Sequence, residues 1–230
     1  MKLIQKFILY SFIILLYLAI VRCGVALTPK ATVKLPPSTK TEILRLNLLY
    51  GDSDDIYGLN LGIANVVQNH LIGIQIGVVN GAERATGIQI GAVNNATATW
   101  SLLKIGLFNL NFFLDSGRRQ PRDTPESIER RIKGDAGFSV GLVNLASGRY
   151  NVGLFNYGYG WNVGFVNWNG EDSGVSMGAV NLGEKENFQI GILNFCKEGL
   201  LPVMILVNYC SSSPNKNSDT SQKISDPNAK

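Results

Sequence analysis

Apolar and polar residues alternate along the middle of the chain in short blocks, each closed by an asparagine. Gly73-Ile-Gln-Ile-Gly77-Val-Val-Asn80 returns almost unchanged as Gly87-Ile-Gln-Ile-Gly91-Ala-Val-Asn94. The pattern G-x-x-x-G-x-x-N recurs at Gly58–Asn65, Gly137–Asn144, Gly160–Asn167 and Gly174–Asn181, and weaker copies end at Asn109, Asn156, Asn194 and Asn208. The ten repeat asparagines are Asn65, Asn80, Asn94, Asn109, Asn144, Asn156, Asn167, Asn181, Asn194 and Asn208. They lie 15, 14, 15, 35, 12, 11, 14, 13 and 14 residues apart. Within a copy the second, fourth and sixth positions are apolar, as in Ile74, Ile76 and Val78 or Trp161, Val163 and Phe165. A polar residue stands between the glycines: Asn60, Gln75, Gln89, Lys104, Ser139, Asn151, Asn162, Ser176, Gln189. Period-two alternation rich in Ile, Val and aromatics predicts half-buried strands, not helices. The second glycine is expected to make a bend and the asparagine to sit at the corner.

An all-β tandem-repeat solenoid of about ten 11–15-residue coils, with one short helical insertion, accounts best for one asparagine in the same slot every time. Stacked Ile and Val would form its core, stacked Asn an amide ladder, and the Gly and Gln line would be exposed. The alternative is an antiparallel β-meander or barrel, including a membrane barrel, in which each copy is one strand with its turn. Cys196 and Cys210 each follow a repeat asparagine by two residues. Stacked coils would bring their Cα atoms within disulfide reach, whereas a meander would leave two separate thiols.

The chain around the repeats divides into a signal peptide (1–26), a linker (27–41), the repeat domain (42–210) and a polar tail (211–230) expected to be disordered. Lys2 and Lys6 precede a continuous apolar run from Phe7 to Val21, the form of a secretory leader. Gly24-Val25-Ala26 permits cleavage before Leu27. Ile20-Val21-Arg22-Cys23 offers a lipidation site at Cys23, against which Arg22 counts, and an uncleaved anchor is the third outcome. The insertion 110–136 carries helix signals: Thr124 to cap, Pro125 in the first turn, Gly134 to stop. Leu44, Leu46 and Leu48 alternate with Arg45 and Asn47, predicting a polar-faced first strand.

The chain of 230 residues has a formal charge of +4, but without the leader 18 bases face 17 acids. Nothing here favours nucleic acid as a partner. One histidine, His70, cannot supply a nucleophile, base and orienter, so no catalytic residue is assigned and an enzyme is not expected. Asp52, Asp54 and Asp55 cluster, but the following Ile-Tyr-Gly breaks calcium-loop spacing. No cofactor or metal site is assigned.

Tandem G-x-Q-x-G-x-x-N copies behind a signal peptide resemble the spirochaete (leptospiral) surface repeat-containing proteins, a family often described as lipoproteins. The resemblance spans roughly residues 44–209 and is most specific at Gly73–Asn94. It implies an envelope or surface location and no agreed activity. The expected function is therefore that of an exported protein of the periplasm, outer membrane or cell surface. Its role would be non-enzymatic, structural or binding, toward a protein or glycan, with membrane association by lipid anchor, uncleaved leader or barrel.

Overall fold

The computed structural model describes Tyr10 and residues 22–111, 137–146, 148–170, 173–197 and 201–211. Eleven strands follow one another: β1 (Cys23–Thr28), β2 (Ala31–Leu35), β3 (Thr41–Ile76), β4 (Val79–Leu110), β5 (Phe138–Val140), β6 (Val143–Leu145), β7 (Tyr150–Tyr157), β8 (Gly160–Asn169), β9 (Gly174–Gly183), β10 (Asn187–Cys196) and β11 (Val203–Cys210). They form one sheet in the order β11-β10-β9-β8-β7-β5-β4-β3-β1-β2, with β6 between β4 and β7. From β3 to β10 the pairing is parallel and the repeats are in register. Gly73 lies opposite Gly87, Gln75 opposite Gln89 and Asn65 opposite Asn80; Asn156, Asn167, Asn181 and Asn194 follow in line. Stacked parallel coils of this kind make a β-solenoid. The antiparallel meander or barrel is set aside, because successive copies pair in parallel; among the described residues only the end strands β2 and β11 are antiparallel to their neighbours.

The faces of the strands are the reverse of the expected ones. Gln75, Gln89 and Asn80 have no exposed surface, whereas Ile74 is 38% exposed, Ile76 40% and Val78 53%. The lumen is polar and the outer wall apolar. Crowding at the glycines explains the inversion, since a Cβ at Gly77 would meet Asn65 Nδ2 and the Gly62 carbonyl oxygen of the preceding coil. A loop of 11 residues, such as the one from Asn156 to Asn167, encloses too little space for Trp161, Val163 and Phe165, but it holds flat amides and glycines. Among the described residues, a conventional apolar core lies beside the longer early coils. There Ile56, Val67, Leu71, Ala82, Ala85, Ala96 and Leu102 are buried together.

The glycines also divide their work differently from expectation. The first glycine of the early copies carries the unusual backbone, with φ of +140° at Gly73 and +123° at Gly87. The second glycine makes room. A Cβ at Gly91 would run into the Gly77 carbonyl oxygen and Asn80 Nδ2 of the preceding coil.

Two further expectations change. The segment 27–41 is not a linker, since most of it belongs to the β1–β2 hairpin and β1 pairs in parallel with β3. Asn208 stands on the antiparallel strand β11, so it leaves the asparagine line; Asn47 extends that line at the other end. Most of the predicted helical insertion (112–136), nearly all of the tail (212–230) and most of the leader lie outside the described residues.

Candidate functional site: an amide lumen and an apolar wall

The repeat asparagines build a continuous chain of side-chain hydrogen bonds. Asn47, Asn65, Asn80, Asn94, Asn109, Asn144, Asn156, Asn167, Asn181 and Asn194 are joined by nine Nδ2-to-Oδ1 bonds of 2.7–3.0 Å. The second hydrogen of Nδ2 is used as well. Asn80 donates it to the Ile90 carbonyl at 2.8 Å, Asn156 to Val163 at 3.1 Å and Asn181 to Ile190 at 3.0 Å. In each case the acceptor immediately precedes the second glycine of the next coil. That relation explains the motif: the asparagine lies against the place where a Cβ on that glycine would stand. Buried amides are tolerated here because partners meet them from coil to coil.

The residues between the glycines make a second, less regular ladder. Gln89 Nε2 donates to Gln75 Oε1 at 2.8 Å and Asn151 Nδ2 to Asn162 Oδ1 at 2.9 Å. Lys104 is fully buried in this row and gives its Nζ hydrogen bond to the Leu110 carbonyl at 2.7 Å. The Gly and Gln line, expected as the exposed binding surface, is therefore lumen.

Sequence reasoning missed the closure at the N-terminal end. Glu42 and Arg45 have no exposed surface. Arg45 Nη1 lies 2.8 Å from Glu42 Oε1 and 2.9 Å from Oε2, and Lys34 Nζ adds a 3.0 Å ion pair to the same carboxylate. Arg45 Nε donates to Asn47 Oδ1 at 2.8 Å, and Nη2 to the Asp52 carbonyl at 3.1 Å. The available signal was parity: Arg45 and Asn47 share a strand face, and Asn47 belongs to the asparagine line.

The disulfide candidates meet at the other end. Cys196 and Cys210 are bonded, with Cα atoms 5.3 Å apart. The route differs from parallel stacking. Because β11 runs back antiparallel, Cys210 lies opposite Asn187 and reaches Cys196 across the end of the coil. Cys23, the lipidation candidate, carries a free thiol at the first position of β1.

The acidic cluster is dispersed among partners. Asp52 accepts from Gln68 Nε2 at 2.9 Å, and Asp55 lies 3.2 Å from His70 Nδ1. His70 Nε2 is in turn 3.2 Å from Arg84 Nη1. Burial, with the charge of Asp52 second, raises the Tyr50 hydroxyl above its usual pKa. Among the described residues no three His, Cys, Asp or Glu side chains group as metal ligands would. What the arrangement presents to the outside is a wall of apolar side chains. No family model, curated protein or solved structure matches the chain.

Proposed function

We propose that the chain is an exported, envelope- or surface-associated repeat protein whose role is structural or binding, and that it is not an enzyme. The observation carrying this reading is where the polar chemistry sits. The amides and the Glu42–Arg45 pair are turned inward, where they hydrogen-bond one another and hold coils together. A rod of ten asparagine rungs stacked about 4.8 Å apart is roughly 43 Å long, a length suited to spacing or presentation. A bonded Cys196–Cys210 pair suits an oxidising compartment. The resemblance to spirochaete surface repeat proteins belongs to the same reading. A protein or glycan partner would meet the polar edge around Asp55, His70, Glu83 and Arg84, where ionisable groups stand at the surface.

Processing at Cys23, with a lipid on its thiol, fits the fold better than cleavage before Leu27. Cys23, Gly24, Val25 and Ala26 supply the whole parallel pairing of β1 with β3, and Ala26 is fully buried. Cleavage before Leu27 would remove that strand and uncover the Glu42–Arg45 end of the lumen. Intact mass of the protein extracted from its native envelope tests the reading. An acylated chain beginning at Cys23 in the envelope fraction supports it; a chain recovered from the cytosol with Met1 and reduced thiols overturns it.

A further inference from the structure

The apolar wall carries an inference that does not depend on export. Successive coils place equivalent outward side chains in register, so the wall is ruled by straight columns. One column runs Val140, Val152, Val163, Met177 and Ile190. Val140 is 43% exposed and Val152 47%. Larger side chains border it: Trp161 on the strand itself, and Phe165 and Ile192 at the bend where the pairing is interrupted. The exposed side chains of this column and its flanks are apolar, and Arg149 is an exposed charge beside Tyr150. Such an apolar surface is larger than the patches that monomers leave in water.

We infer that this wall is the interface of a homodimer, in which two copies pack sheet against sheet. Three observations select a second copy as the occupant. The first is area. The paired face up to the bend at the second glycine, as in Gly160–Gly164, is about five residues wide; at about 3.3 Å each, over roughly 43 Å of stacked coils, it gives about 700 Å² per copy. A standard stable interface takes about 800 Å² from each partner. The second is shape. Parallel columns of Val, Ile and aromatic side chains make ridges and grooves that an identical wall can fill, the geometry of dry sheet-to-sheet packing about 10 Å apart. A two-fold axis then satisfies both copies at once.

The third observation is that the ends of the rod are closed. At one end β2 runs antiparallel to β1 and is followed by Pro36; at the other β11 runs antiparallel to β10, follows Pro202 and is tied by the disulfide. These strands do not continue the parallel stack, so coil-on-coil growth is interrupted and association is directed to the wall. A lipid surface is the competing occupant. It is less favoured because the surface charges around the wall, Glu83, Arg84, Arg149, Glu184, Lys185, Glu186 and Lys197, are of mixed sign and make no basic rim for anionic headgroups.

The test is the mass of the chain from Cys23 to Lys230, which keeps β1 whole, in detergent-free buffer, by light scattering after size exclusion and by sedimentation, for the natural sequence and two variants. Val163→Lys and Ile190→Lys each place a charge in the column at an exposed position, so the fold survives. The natural chain is expected as a dimer at micromolar concentration. Each variant should weaken the dimer roughly 30-fold or more while keeping the natural circular dichroism and melting behaviour. A natural chain that is monomeric at 100 micromolar overturns the inference, as does a dimer indifferent to both lysines. Flotation of a monomeric natural chain with phosphatidylcholine vesicles would overturn it in favour of a lipid partner.

Discussion

Arg45 Nε donates a 2.8 Å hydrogen bond to Asn47 Oδ1, and this one bond closes the oxygen end of the asparagine ladder. The nine rungs from Asn47 to Asn181 each donate toward the next coil, so their side-chain dipoles point the same way and leave an acceptor at the first rung. A cation there is favourable for the same reason that one is favourable at a helix C-terminus. Glu42 offsets the guanidinium charge, and the partly exposed Lys34 pairs with the same carboxylate. At the opposite end no further rung follows, and Asn194 turns its Nδ2 to the Gly191 carbonyl at 3.1 Å within its own coil.

Arg45→Met should destabilise the fold by about 3–5 kcal/mol, because it strands a buried carboxylate and the first acceptor. The double variant Arg45→Met with Glu42→Met should recover much of that loss. Urea unfolding of both variants and the natural chain checks the pair; equal stability of single variant and natural chain would mean the cluster is solvated.

Glycine substitutions separate lumen from surface. At Gly164 a Cβ would meet the Gly153 carbonyl oxygen and Asn156 Nδ2, whereas at Gly170 nothing lies within 4 Å. Gly164→Ala should therefore cost about 3 kcal/mol and Gly170→Ala close to nothing. Thermal unfolding distinguishes them, and similar losses at both positions would speak against a crowded lumen.

Removing the disulfide should loosen the C-terminal cap first. Cys196 and Cys210 are 14 residues apart, and closing a loop of that size contributes about 3 kcal/mol. Cys196→Ser with Cys210→Ser should lose about that much, with amide exchange rising in β11 and β10 before β8. Uniform exchange along the rod would show that the cap does not guard the stack.

The repeat and its strand character were legible in the sequence because asparagine spacing and period-two alternation survive every substitution between copies. The direction of the faces was not read, because alternation alone is symmetric: either parity can be turned inward. Hydrophobicity argued for Ile74 and Ile76 inside, and it lost to volume. Parity held the missed clue. Gly73, Gln75 and Gly77 share a face, and two glycines flanking one amide mark the side where neighbouring backbone leaves no room. Arg45 and Glu42 were hidden for a related reason, since charged residues in a strand usually face water. The β1–β2 hairpin was obscured by Pro29, Pro36 and Pro37, which resemble linker punctuation but here bracket a short edge strand.

The account rests on amides inside and apolar side chains outside. Hydrogen–deuterium exchange of the asparagine and glutamine side-chain amides, followed by NMR on the folded chain, reads that arrangement directly and is insensitive to dimer formation. The ladder amides from Asn65 to Asn181, with Gln75 and Gln89, should persist long after exposed amides such as those of the polar tail have exchanged. If every side-chain amide is already deuterated in the first spectrum while the backbone strands stay protected, the lumen is not made of amides and the account is contradicted.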